Sequence, residues 1–185
     1  MQHAALAILL SLWSAETACA MPNSESGIAW PVQGELHLSV LSDLADRSAL
    51  AGSFGYAARF GPRWANWGIF AHVEHDLWLA TEFESDVVAG AVNLAIGGEH
   101  LYYGRGVRTS LALGASILAY DAALDKAGNV GLFVDFRPVG LRFPLTHALS
   151  LGLDPLTLTI VAPVLTGVAL VQVEYRTAVY LEVSL

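Results

Sequence analysis

From Val171 to Leu185 the side chains alternate without a break. Val171, Val173, Tyr175, Thr177, Val179, Leu181, Val183 and Leu185 share one side, and Gln172, Glu174, Arg176, Ala178, Tyr180, Glu182 and Ser184 the other. A period of two held that long is a β-strand with one apolar and one polar face, well beyond the ~5–6 residues usual in soluble sheets. The chain around it has 185 residues, room for one domain with a full core. Only 14% of them are charged, the net charge is -8, and Lys and Arg number 9. That balance excludes a nucleic-acid binder, which needs a basic stripe, and a disordered chain, which needs more charge and less apolar side chain.

The same period recurs upstream in Gly34–Ser42, Ala49–Phe60, Ala65–Leu79, Glu84–Gly97 and Arg105–Tyr120. Two further segments are irregular. In Asn129–Pro144 the apolar parity changes after Pro138, and in Leu149–Val161 it changes at Asp154-Pro155. A bulge shifts the side-chain register by one, so a pair of opposed bulges with Pro138 facing Pro155 explains both slips. Eight strands result. Pro155–Val171 is the most apolar stretch, but Pro163 and Gly167 with many Thr and Val make it strand rather than helix.

Ala4–Trp13 is too short to span a bilayer as a helix and is followed by Ala18-Cys19-Ala20, an A-x-A pattern. Residues 1–20 therefore read as a secretory signal peptide cut after Ala20, residues 21–33 as a flexible lead-in, and 34–185 as the barrel domain. The single cysteine, Cys19, leaves with the signal. Glu16 stands where a lipoprotein signal has Leu, against lipidation of Cys19.

Alternation alone fits a soluble barrel and a membrane barrel equally, so the polar face decides. It carries Ala, Gly and Ser with a few charges, and the only lysine, Lys126, lies in a connection. A solvent-facing surface would be rich in Lys and Glu. A narrow lumen instead takes small residues and paired charges: Glu35, Glu74, Asp76, Asp135, Glu174 and Glu182 against Arg59, Arg108, Arg137 and Arg176. The apolar face has no charge in any regular strand, as lipid contact requires. Phe60, Trp64, Trp67, Tyr102, Tyr103 and Phe143 cluster at one set of turns, and Trp78, Phe83 and Tyr120 at the other, as two interfacial belts would. The first set is expected in the periplasm. The opposite loops hold Asp43, Asp46, Glu82, Glu84, Asp86, Asp121 and Asp125 against Arg47 and Lys126.

Over Gly34–Leu185, above all in Gly104–Ser116 and the last strand, the pattern resembles the small bacterial outer-membrane barrels of the OmpA type. The resemblance implies an all-β, eight-stranded antiparallel up-and-down transmembrane β-barrel. It would be a monomer of the Gram-negative outer membrane, inserted by the assembly machinery, touching the bilayer and lipopolysaccharide, and structural or interactive in role. In that family the last residue is usually aromatic, whereas here it is Leu185.

Three sharper chemistries compete with a plain lumen ion-pair network. Glu35, His37 and Ser39 share one face and resemble the Glu, His and Ser of outer-membrane lipid A deacylases, although Val40 replaces the Asn that follows the Ser. His72, Glu74 and Asp76 offer three metal ligands on one face, while His75 points away, so this is no zinc-protease helix motif. The acidic loops could bridge cations to lipopolysaccharide phosphates. No nucleotide loop or CxxC is present, and neither metal nor cofactor is expected. The alternative architecture is a secreted, lipocalin-like soluble barrel with its apolar face turned inward around a ligand.

Overall fold

The computed structural model describes residues 27–43, 50–79, 87–121, 128–165 and 170–185. The signal-peptide reading and most residues of the acidic loops lie outside them. The strands are β1 (Ile28–Ala29), β2 (Pro31–Asp43), β3 (Leu50–Phe60), β4 (Arg63–Trp64), β5 (Trp67–Leu79), β6 (Val87–Tyr102), β7 (Val107–Asp121), β8 (Val130–Pro144), β9 (Leu149–Val164) and β10 (Leu170–Ser184). β1 and β4 are two-residue bridges; the other eight run 11 to 16 residues. Each long strand pairs antiparallel with its sequence neighbours, and β10 pairs with β2, so the meander closes with no free edge. Closure satisfies every ladder and is one of two ways a chain can cross hydrocarbon.

The first long strand, β2, starts at Pro31, three residues before the expected domain boundary. Pro31, Val32 and Gln33 pair with Ser184, Val183 and Glu182 and belong to the barrel. Ile28–Ala29 pairs with Arg63–Trp64, and Trp30 exchanges backbone hydrogen bonds with Leu185 at 3.3 and 3.4 Å. The lead-in is therefore fixed to the turn end from Ile28 onward. Likewise β6 continues through Tyr102, so Glu99 lies on a strand rather than in a turn.

Alternation decides inside and outside. Leu36, Leu38 and Ile96 are 70, 70 and 71% exposed, while their neighbours Glu35, His37 and Ala95 are buried. The apolar face is thus the exterior, and the described strands do not turn it inward around a cavity as a lipocalin-like barrel would. Trp78 departs from the expected belt: it is buried inside, its Nε1 donating to Glu174 at 3.1 Å. Its even position on β5 puts it with Glu74 and Asp76, and indole N–H finds an acceptor there.

Both parity slips occur. Inward residues change from odd to even on β8 between Arg137 and Gly140, and from even to odd on β9 between Asp154 and Thr157. The hairpin is registered one residue from expectation, with Phe136 opposite Leu158 and Leu141 opposite Leu153. Between them Val139 lies opposite Leu156 inside the bulge, so Pro138 and Pro155 do not face each other. The cause is an asymmetric turn: Leu145 and Thr146 N–H both donate to Leu149 O, and Thr146 Oγ1 accepts from the N–H of Leu149. Each bulge is capped by an outward threonine of the adjoining strand. Thr109 Oγ1 donates to Pro138 O at 2.7 Å and Thr177 Oγ1 to Pro155 O at 3.0 Å. Proline lacks an N–H, so the bulge loses no donor, and the threonine satisfies the carbonyl.

Thr109→Val and Thr177→Val should each cost about 1–3 kcal/mol by orphaning that carbonyl, whereas Thr→Ser keeps the bond. Reversible denaturant unfolding in lipid, comparing Val with Ser, measures this.

Candidate functional site: the charged lumen

The interior is built from one bulky wall and one small one. β6 and β7 present Ala89, Ala91, Ala95, Ala112 and Ser116 inward, which leaves room for the long side chains of the opposite strands. Gly140 and Gly152 are dictated by space. A Cβ at Gly152 would overlap the phenol end of Tyr180, and one at Gly140 would meet the Asp154 carboxylate and the Arg108 side chain. Arg108 then lies over Tyr180 with its guanidinium carbon 3.8 Å from the ring centroid.

The charges form three connected layers. Nearest the short turns, Arg63 donates to Glu99 at 2.6 Å and to Glu182 at 2.8 Å, and Arg142 Nε reaches Glu182 at 3.0 Å. At mid-height Arg137 grips Glu35 at 2.5 and 2.8 Å, Asp154 at 2.5 Å and Asp135 at 2.8 Å. Arg59 joins Asp135 at 2.6 Å, and Arg108 joins Asp154 at 2.5 and 3.1 Å. Nearest the long connections, Arg176 holds Glu74 at 2.7 Å, Glu174 at 2.8 Å and Asp76. An apolar cluster including Trp78, Leu118, Phe133, Val161 and Val164 fills the adjoining space.

All ten charged residues expected on the polar face are buried in this interior. Arg63, Glu99, Arg142 and Asp154 are also present and were not anticipated. Arg63 comes from the turn between β3 and β5, outside any alternating run, and Glu99 from a stretch read as a turn. Asp154 sits at a parity slip, and Arg142 beyond one. The slips themselves were the available signal for the last two.

The hydrolase arrangement is not assembled. Ser39 Oγ bonds to Ser53 and, at 3.1 Å, to Glu174, whereas His37 Nε2 faces Asp76 at 2.7 Å and His37 Nδ1 lies 3.5 Å from Glu35. No hydrogen bond links His37 to Ser39, so the histidine is not placed to take the hydroxyl proton. His72 is likewise engaged elsewhere: its Nδ1 accepts from Arg59 Nε at 3.1 Å and its Nε2 donates to Glu74 at 3.1 Å. It is His37, from a different strand, that the fold brings to Glu74 and Asp76, with ligand atoms of all three within 4.8 Å of one another.

A closed eight-stranded barrel with an apolar exterior and a charged, side-chain-filled interior can be compared with solved structures. Neisserial surface protein A superposes with a TM-score of 0.56 at 12% identity, covering 85% of this chain and 99% of that one. Ail, the attachment invasion locus protein of Yersinia pestis, superposes with a TM-score of 0.50 at 11% identity, covering 86% and 100%. The chain has the fold of the eight-stranded outer-membrane β-barrels. No protein-family model and no curated protein matches the sequence. At such identities the barrel shares architecture with these proteins, and its lumen residues must be read on their own.

Arg137 is where the barrel should be most sensitive. Arg137→Met leaves Glu35, Asp135 and Asp154 short of a shared buried counter-charge and should cost about 3–5 kcal/mol. Arg142→Met, whose partner Glu182 keeps Arg63, should cost clearly less. Unfolding midpoints of the two variants side by side test the ranking.

Proposed function

We propose that this protein is an outer-membrane barrel with a structural or interaction role, its lumen plugged by side chains and its loops forming the contact surface outside. The observation that carries the reading is the reversal of polarity: an uncharged apolar exterior around an interior of arginine–carboxylate pairs. An Arg or Lys on the lipid side would cost roughly 2–4 kcal/mol at the midplane, and the described strands place none there. The barrel works as a monomer, with lipid and lipopolysaccharide as its immediate neighbours and the outer-membrane assembly machinery as its route of insertion. Trp30, Phe60, Trp64 and Trp67 are exposed around the end where the short turns lie, which we take as the periplasmic interface.

Packing supports the plug. The charged layers run from Arg63 at the short turns to Glu174, and an apolar cluster with Phe70, Phe133 and Trp78 packs beside them. In this reading the acidic loops, most of whose residues lie outside the described ones, supply the contact surface.

Two measurements test this. In detergent extracts of the outer-membrane fraction, the unboiled chain should migrate differently from the boiled chain, because a closed barrel resists detergent until heated. Reconstituted in planar bilayers, it should give no steady conductance. Recovery in the soluble fraction would overturn the membrane reading, and stable unitary currents would overturn the plug.

A further inference from the structure

The three charged layers do not balance alike. Nearest the short turns, Arg63 and Arg142 face Glu99 and Glu182; at mid-height, Arg59, Arg108 and Arg137 face Glu35, Asp135 and Asp154. In the third layer Arg176 alone faces Glu74, Asp76 and Glu174, all fully buried or nearly so. His72 adds no charge. Arg59 Nε can only donate, so the Nδ1 it meets is unprotonated, and the remaining ring proton lies on Nε2 toward Glu74. Among the described residues the third layer is therefore two positive charges short, and His37 is the one group left beside it.

His37 is placed as a metal-ligating histidine is placed. Its Nε2 points at Asp76 Oδ1, and its buried Nδ1, which makes no hydrogen bond, lies 3.5 Å from the Glu35 carboxylate. Arg176 takes Glu74 Oε2 and Asp76 Oδ2, which leaves Glu74 Oε1 and Asp76 Oδ1 on the remaining side. An independent feature lies against them. Asn93 is completely buried, its amide nitrogen reaches Glu74 at 2.7 Å and Asp76 at 3.4 Å, and its Oδ1 has no partner. A flip of that amide turns an orphaned oxygen onto the carboxylate pair.

We propose that His37, Glu74 and Asp76 form a divalent-cation site of the zinc type in the lumen, with Asn93 Oδ1 as a fourth donor. One imidazole and three oxygens suit a borderline ion that takes four ligands. A neutral His37 as ligand leaves the third layer at minus two, and a divalent ion neutralises it. Glu35, outside the ligand set, is the positioning residue that aims the imidazole.

The test refolds the full chain in detergent with zinc or with a chelator, removes free metal, and measures bound zinc by mass spectrometry, with the heat-dependent gel shift confirming closure. The expected result is one zinc per closed barrel, and with cobalt(II) the visible absorption of a four-coordinate N/O site. His37→Gln should abolish uptake, and Glu35→Gln should weaken affinity about 10–100-fold while keeping the stoichiometry. A closed wild-type barrel holding no zinc above the blank overturns the site, and so does a closed His37→Gln barrel holding as much as wild type. The wild-type measurement decides even where a variant fails to close.

Discussion

The Arg137 guanidinium is the interaction on which the interior depends. It lies on β8 and reaches Glu35 on β2, Asp154 on β9 and Asp135 on its own strand, so one side chain ties both sides of the closure seam. None of these groups has water to fall back on, since each is nearly or completely buried. Charges taken out of water are tolerable only when paired and hydrogen-bonded. The planar fork of arginine, with five donors, meets that need for several carboxylates at once, where a lysine could not. Among the described residues the buried cations are arginines and no lysine is present, the same argument seen in composition.

That network fits only because the barrel is asymmetric in side-chain size. Ala and Ser on β6 and β7 give way to the arginines and to Phe70, Phe133 and Trp78 from neighbouring and opposite strands. Polar groups of the network also pack on rings: Arg59 lies 4.6 Å over Phe70, and the neutral His72 stacks on Phe133 at 5.5 Å. Polar pairing and apolar filling are thus shared by the same side chains.

Much of this was legible in the sequence because a period of two, once long, assigns each residue to one face. The eight long strands follow from alternation, and the inward placement of Glu35, Arg59, Glu74, Asp76, Arg108 and Glu174 follows once the small, sparsely charged composition of the polar face is added. What alternation cannot say is which charges meet. His37 and Asp76 lie on strands that are not neighbours in the sheet, and their 2.7 Å contact depends on reach across β3, where Gly55 leaves the space open. Trp78 was misplaced for a related reason: an aromatic near a strand end suits an interfacial belt, but parity puts this one inside. Arg63 escaped because a turn residue folding back into a barrel has no periodic signature.

The proline slips show how closely polarity depends on register. Between the pairs Phe136–Leu158 and Leu141–Leu153 both strands advance by the same number of residues, so the ladder resumes unchanged on either side. Only the faces are exchanged. Without the slip on β8, Val139, Leu141 and Phe143 would point inward and Arg142 outward, leaving Glu182 with Arg63 as its one arginine. Without the slip on β9, Leu156, Leu158 and Ile160 would enter the lumen, and Thr159 would lose its 2.9 Å bond to Asp135. A single slip would put only one strand out of phase with the charges around it. The two occur together, opposed across one hairpin and each capped by a threonine from outside, because the interior tolerates neither alone.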